Sequence, residues 1–127
     1  MDEIWIRGLR VFAYHGVNPE EKRDGQPFVL DATLRLDLSR PCRTDRVEDT
    51  VSYAKAAKTI LRVMTETSYD LLERAAQRVA DALLEEYPAV QSVSVTLKKP
   101  EAPVKAEFDY FAVHLTRERG REYGCSA

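Results

Sequence analysis

The segment from Pro27 to Ser39 constrains the fold more than any other part of the chain, because apolar and polar residues alternate strictly along it. A period of two places successive side chains on opposite faces of a β-strand, so this segment is predicted to be a long strand with one buried face. The predicted buried side chains share one parity: Phe28, Leu30, Ala32, Leu34, Leu36 and Leu38. A strand with one apolar and one polar face is typical of an antiparallel sheet.

Three further segments carry strand patterns. They cover residues 4–13, 90–98 and 107–117. Gly8 interrupts the first of them, which predicts a bulge or bend there. The first two strands are expected to pair as a hairpin, and the long connection between them, residues 14–26, is a candidate carrier of function.

Two segments between the second and third strands carry helical patterns. The first covers residues 53–67 with Ser52 as its N-cap, and the second carries an apolar stripe over residues 72–87 with Asp70 as its cap. The order strand, strand, helix, helix, strand, strand predicts an α+β fold, a four-stranded antiparallel sheet with two helices on one face. Open sheet edges would favour aggregation, so we expect a homo-oligomer in which subunits pair their edges into a ring.

The composition is that of a single globular domain. The chain has 127 residues, 44% of them hydrophobic, which is enough for one core. We predict one domain over residues 1–117, followed by a charged, disordered tail over residues 118–127. With 19 basic and 21 acidic residues the net charge is −2, which predicts no general attraction to nucleic acid or membranes and favours a small ligand.

The N-terminal residues carry neither a basic leader nor an apolar run long enough for a signal peptide or membrane span, so a cytoplasmic protein is predicted. Cys42 and Cys125 show no metal-ligand spacing and no disulfide framework. His15 and His114 are the only histidines, so one chain cannot supply a zinc site of three histidines. We expect His15 to stabilise its loop by a hydrogen bond and His114 to be structural.

Four side chains are candidates for proton-transfer chemistry: Lys99, Glu21, Tyr53 and Glu73. Lys99 follows a predicted strand and stands in a segment stiffened by two prolines, which would hold its amine in place. The other three have ordinary explanations as well. Tyr53 fits a packing aromatic, Glu73 fits the third position of a capping box, and Glu21 lies in a charged run typical of a solvated loop.

The order and spacing of the motifs around these residues resemble those of the dihydroneopterin aldolases, over nearly the whole chain from Ile4 to Arg117. The matching motifs are Tyr14-His15-Gly16-Val17 with Glu21, Gly25-Gln26-Pro27-Phe28, Asp49-Thr50-Val51 with Tyr53, Leu71-Leu72-Glu73, and Lys99-Pro100 with Ala102-Pro103. The resemblance implies the tunnelling fold, with subunits that join into a β-barrel as tetramer rings or octamers. It also implies a small-molecule pterin substrate and no cofactor.

The resemblance further implies a retro-aldol cleavage and a role for each candidate. Lys99 would serve the proton transfers, Tyr53 would support protonation of the enol-like intermediate, and Glu21 would orient the side-chain hydroxyls of the substrate. Glu73 and the backbone at Leu72 would hold the amino-pyrimidinone edge of the pterin. The heterocycle itself would accept the electrons of the cleaved bond, so neither a metal nor a Schiff base is expected.

The chain departs from the family pattern at Val104-Lys105-Ala106 and at Tyr110, where aldolases often read Ile-Pro-Gly and Phe-Asp-Gly. Tyr110 adds bulk near the site loop and bears on the balance of aldolase and epimerase rates. Three alternatives stay open: a dihydroneopterin triphosphate epimerase, a pterin-binding scaffold without catalysis, and a zinc-dependent pyruvoyl-tetrahydropterin-type synthase, which the histidine count disfavours.

Overall fold

The computed structural model describes residues 1–120. Its regular elements, in chain order, are β1 (Asp2–Ala13), α1 (Pro19–Asp24), β2 (Gln26–Leu36), α2 (Ser39–Thr44), a 3₁₀ turn (Val47–Asp49), α3 (Tyr53–Glu66), α4 (Leu72–Glu86), β3 (Ser92–Lys99) and β4 (Phe111–Glu118). None of the helices in this part of the chain is long and apolar enough to cross a membrane.

The four strands form one antiparallel sheet in the order β1-β2-β3-β4. Helix α3 packs against β1, and α4 packs against β3, β4 and α3. The predicted α+β fold is therefore confirmed, with two short additional helices, α1 and α2. The predicted bulge is also present, because the register between β1 and β2 shifts between Ile6 and Leu9.

The core lies between the sheet and the two long helices. Strand β2 contributes the predicted parity, with Phe28, Leu30, Leu34 and Leu36 almost fully buried. Burying one such side chain completely stabilises a fold by about 1.5–3 kcal/mol, so this strand anchors the domain. The helices complete the core with buried residues that share one face of each helix: Ala56, Ile60, Val63 and Met64 from α3, and Ala75, Ala76, Val79, Ala80 and Leu83 from α4.

The connections between elements lie at two opposite ends of the sheet. Successive strands run in opposite directions, and so do α3 and α4. The connections 14–25, 67–71 and 100–110 therefore meet at one end of the sheet, which we call the α1 end. The connections 37–52 and 87–91 meet at the other, which we call the α2 end. This division decides which candidate residues can meet within one chain.

Three local predictions are wrong. Strand β2 ends at Leu36 and does not reach Ser39, which is the first residue of α2. Asp70 does not cap α4, whose N-cap is Leu71, because the Asp70 carboxylate lies 2.6 Å from Lys22 Nζ. Strand β4 begins at Phe111 and not at residue 107, because the preceding residues form local turns in which Ala106 N–H donates to the Val104 carbonyl.

The C-terminal part of the chain bears on the predicted tail. Glu118 is the last residue of β4, and the Arg119 guanidinium donates to the carbonyls of Val90 and Leu84 at 2.8 and 2.6 Å. The sheet therefore extends beyond the predicted domain end at residue 117. The rest of the predicted tail, residues 121–127, lies outside the described residues.

Candidate active site

A buried ion pair joins two of the four candidate residues at the α1 end. Lys99 Nζ lies 2.5 Å from Glu21 Oε2, and the two side chains are only 12% and 7% exposed. Lys99 is the last residue of β3 and Glu21 is the third residue of α1. The short helix α1, which the sequence pattern did not reveal, therefore turns a carboxylate of a charged run inward onto the amine.

Two further contacts fix the Glu21 carboxylate. Gln26 Nε2 donates to Glu21 Oε2 at 2.8 Å, and the Asn18 backbone N–H donates to Oε1 at 3.3 Å. Burial raises the pKa of Glu21, but the hydrogen bonds from Lys99, Gln26 and Asn18 outweigh it and hold the pKa below its usual value. Glu21 is therefore a carboxylate at neutral pH.

Gly16 makes room for this carboxylate. Its φ is +151°, which L side chains rarely adopt, and a Cβ there would lie 2.3 Å from Glu21 Oε1. Only glycine satisfies both constraints. The glycine of the sequence motif is thus explained by the close approach of the Glu21 side chain to the backbone.

Gln26 is a site residue to which sequence reasoning gave no role. It is 7% exposed and shares the parity of Phe28 and Leu30 on β2, which places its side chain on the covered face of the sheet. That parity was the signal that could have found it. Within residues 1–120, Gln26 Oε1 is buried and accepts no hydrogen bond.

The N-terminus of α4 lies at the same end as the ion pair. The connection before it is tied to the α1 segment, because Gly16 N–H donates to the Tyr69 carbonyl at 2.9 Å and Lys22 pairs with Asp70. Leu72 and Glu73 are the first two residues of α4, and Glu73 is exposed. Within residues 1–120 the N-cap, Leu71, makes no side-chain cap hydrogen bond, so the capping-box explanation of Glu73 does not hold. Its carboxylate lies in the first turn of α4, where it also complements the helix dipole.

Tyr53 lies at the opposite end of the protomer. It is the first residue of α3, and Met64 near the other end of that helix receives a hydrogen bond from His15 at the α1 end. At about 1.5 Å of rise per residue, Tyr53 lies about 16 Å from Met64 along the helix. The Tyr53 side chain is 71% exposed and lines an apolar surface groove with Ile4, Leu38, Pro41, Cys42, Thr50 and Val51. One protomer therefore does not bring Tyr53 to the ion pair.

The two histidines differ in their surroundings. His15 is fully buried and bonded through both ring nitrogens, as expected of a loop-stabilising residue. His114 is exposed on β4, and its Nδ1 lies 2.7 Å from the Thr96 hydroxyl.

The comparisons with known proteins agree with this fold and with these motifs. Residues 4–116 match the family model described as dihydroneopterin aldolase. The chain belongs to the dihydroneopterin aldolase family. The predicted resemblance is thereby confirmed over 4–116, which includes all the candidate site residues.

Individual relatives give the same assignment. The chain is 41% identical over 118 residues to a dihydroneopterin aldolase of Methylorubrum extorquens, with 93% of this chain and 91% of the relative covered. It is 33% identical to that of Bacillus subtilis, over 94% of this chain and 99% of the relative. The crystal structure of Escherichia coli dihydroneopterin aldolase in complex with neopterin superposes with a TM-score of 0.85 at 31% identity, covering 92% of this chain and 99% of that one.

Tyr110, where this family member departs from the common pattern, lies beside Lys98. Lys98 Nζ is 5.0 Å from the centre of the Tyr110 ring and 3.0 Å from Asp31 Oδ2. Neighbouring residues of a strand point to opposite faces, so Lys98 and Lys99 have separate partners on separate faces of the sheet. The added bulk of Tyr110 therefore packs on Lys98 and leaves the Glu21–Lys99 pair untouched.

Proposed function

We propose that this chain cleaves 7,8-dihydroneopterin by a retro-aldol reaction to 6-hydroxymethyl-7,8-dihydropterin and glycolaldehyde, a step in tetrahydrofolate synthesis. The observation that carries the proposal is the buried 2.5 Å pair of Glu21 and Lys99. In a member of this family, it supplies an acid and a base held together beside the start of α4. Positioned acid-base groups of this kind are what the reaction needs.

The chemistry explains why so few groups suffice. The hydroxyl on the second side-chain carbon loses its proton, and the bond between the first and second side-chain carbons breaks. Its electrons enter the conjugated imine of the dihydropterin ring. The first carbon then takes up a proton, so the proton count balances and glycolaldehyde leaves. The heterocycle is the electron sink, and the substrate carries no side-chain ketone that could condense with an amine, so we propose a reaction without a metal or a Schiff base.

The proposed roles of the ion pair follow from its contacts. Glu21 accepts hydrogen bonds from three sides, so it would orient the substrate hydroxyls. Lys99 would move the protons, directly or through a water molecule. Gln26 would keep the Glu21 carboxylate in place, because its Nε2 donates to Glu21 Oε2 at 2.8 Å.

The proposed pterin anchor is the N-terminus of α4. The amino-pyrimidinone edge of a pterin presents adjacent N–H donors, which suit a bidentate carboxylate such as Glu73. The backbone at Leu72 would complete the contact. The exposure of Glu73 and its place at the α1 end support this role.

The proposed role of Tyr53 requires a second subunit. Tyr53 would support protonation of the intermediate from the apolar groove at the α2 end of a neighbouring chain. Within the described part of the chain, β1 and β4 pair on one side only, and β1 presents exposed Trp5 and Phe12. We therefore propose a homo-oligomer, a tetramer ring or an octamer, in which strands continue from subunit to subunit into a β-barrel.

We also propose an epimerase side activity. If the aldehyde turns in the site before it leaves, recombination forms the opposite configuration at the second side-chain carbon without any new catalytic group. Comparing turnover of dihydroneopterin and its triphosphate distinguishes this activity from a dedicated triphosphate epimerase.

The decisive experiment measures glycolaldehyde release from 7,8-dihydroneopterin in the presence of a metal chelator. Lys99→Ala is expected to lower kcat by about 10²- to 10⁴-fold, the usual contribution of acid-base catalysis, while neopterin binding persists. Lys98→Ala is the matched control, because it removes the adjacent amine on the other face of the sheet. Binding without any glycolaldehyde release by the wild type would support the scaffold alternative. Equal turnover of the two lysine variants would remove Lys99 from the mechanism.

A further inference from the structure

His15 occupies a fully buried position at the α1 end, between the α1 segment and the two helices. The Tyr69 backbone N–H donates to His15 Nδ1 at 3.0 Å, so Nδ1 carries no proton. Nε2 therefore carries the proton and donates to the Met64 carbonyl at 2.9 Å. The ring also stacks on Tyr69, at 5.6 Å between ring centres, and meets Phe28 edge-on at 5.5 Å.

The surroundings favour the neutral ring that this arrangement needs. Burial lowers the pKa of His15, the hydrogen bond to Met64 opposes this, and the positive charges of Lys22 and Lys99 add to the lowering. The net direction is downward, so the ring stays neutral at physiological pH. A neutral ring with one donor and one acceptor can join two backbone segments at once.

The segments that His15 joins are the two halves of the site. Its own segment continues through Gly16 into α1 and Glu21. Tyr69, its partner, lies in the connection that leads into Leu72 and Glu73 on α4. A second link runs in parallel, since Ser68 Oγ donates to the Tyr14 carbonyl at 2.5 Å.

We propose that His15 is a positioning residue that fixes the separation between the Glu21–Lys99 pair and the pterin-holding start of α4. This inference rests on the proposed function. The hydrogen bond from Tyr69 N–H to His15 Nδ1 would hold the start of α4, and with it the bound heterocycle, at a fixed distance from Glu21 and Lys99. A displacement of about 1 Å between bound substrate and catalytic groups lowers turnover by about 10²-fold.

Two substitutions of His15 separate its two hydrogen bonds. His15→Asn keeps an acceptor near the position of Nδ1, and His15→Gln keeps a donor near the position of Nε2. For His15→Asn we expect kcat within about threefold of wild type. For His15→Gln we expect kcat to fall by about 10- to 100-fold, while KM changes by less than about threefold. Thr59→Val is the control, because Thr59 is equally buried and hydrogen-bonded to Glu86 and Tyr87 away from the α1 end.

The outcomes distinguish this inference from the proposed function. No glycolaldehyde release by wild type overturns both. An active wild type with equal kcat in the two His15 variants, or with a loss carried by KM alone, overturns the positioning role only. If neither His15 variant folds, the substitution Ser68→Ala, at an exposed position, tests the positioning role instead. It removes the parallel link and is expected to lower kcat about threefold at constant KM, and an unchanged kcat there overturns the inference.

Discussion

Replacing Gly16 by alanine tests whether the backbone beside Glu21 sets the position of its carboxylate. The added Cβ would lie 2.3 Å from Oε1, 2.4 Å from Cδ and 2.7 Å from Oε2 of Glu21. Non-bonded heavy atoms are in favourable contact at about 3.5–4.0 Å, so the carboxylate must move by at least about 1 Å. It cannot move freely, because Lys99, Gln26 and Asn18 hold it.

The cost has a backbone part and a side-chain part. An alanine at a φ of +151° costs about 1–3 kcal/mol. A weakened hydrogen bond to a charged group costs about 1.5–3 kcal/mol. The free energy of unfolding should therefore fall by about 2.5–6 kcal/mol. For a chain of 127 residues, each kcal/mol lowers Tm by about 4 °C.

The Gly16→Ala variant should also lose turnover that the loss of stability does not explain. Moving the carboxylate by about 1 Å is expected to lower kcat by about 10²-fold at a temperature where the variant is fully folded. Thermal unfolding at fixed protein concentration measures the first effect, and glycolaldehyde release measures the second.

Gly8→Ala is the matched control. Gly8 also has a positive φ, +69°, but an added Cβ there meets nothing within 4 Å. It therefore carries the backbone cost alone and should leave kcat unchanged. If the Gly16 and Gly8 variants lose the same stability and both keep wild-type turnover, the close approach does not fix the carboxylate and the reasoning fails.

Three further expectations concern binding, pH and a helix cap. Glu73→Ala should raise the neopterin dissociation constant, measured by calorimetry, at least tenfold, because charged hydrogen bonds of about 1.5–3 kcal/mol are lost. Glu85→Ala on the same helix should leave the constant unchanged. An unchanged constant for Glu73→Ala would refute the proposed pterin anchor. The pKa of Glu21 is lowered, so its contribution to stability is present above the unfolded-state pKa of about 4.3 and is lost as pH falls through the folded-state pKa. Unfolding of wild type should thus depend more steeply on pH below about 4.3 than unfolding of Glu21→Gln, and parallel curves would contradict this. Ser52→Ala should cost about 1 kcal/mol in urea unfolding, because the Ser52 hydroxyl accepts from Lys55 N–H. A midpoint equal to that of wild type would show that the cap is dispensable.

The long elements were predictable because their periodicity is written in many residues. The alternation along β2 predicted which of its faces is buried, and Ser52 predicted the start of α3. Helix α1, with six residues, is too short to show a helical period, so its residues read as a solvated loop. The cap of α4 was misassigned because Asp70 is engaged by Lys22, a tertiary contact that local preference does not reveal.

The site was predictable in its residues more than in its geometry. The motif order brought forward Glu21 and Lys99, which the fold places in contact. It did not show that Gln26 faces the same pair, although the parity of β2 contains that information. Nor did it show that Tyr53 lies at the other end of the chain, because the direction of α3 relative to the sheet follows from packing and not from spacing.

The placement of Tyr53 and Lys99 at opposite ends has a consequence for how the activity depends on concentration. If the proposed roles are correct, two subunits share each active site. An isolated protomer then carries Lys99 for one active site at its α1 end and Tyr53 for another at its α2 end. Dilution below the dissociation constant of the assembly would then abolish turnover without unfolding any subunit. In an assembly that mixes chains lacking the Tyr53 hydroxyl with chains lacking the Lys99 amine, some active sites would still combine an intact Tyr53 with an intact Lys99.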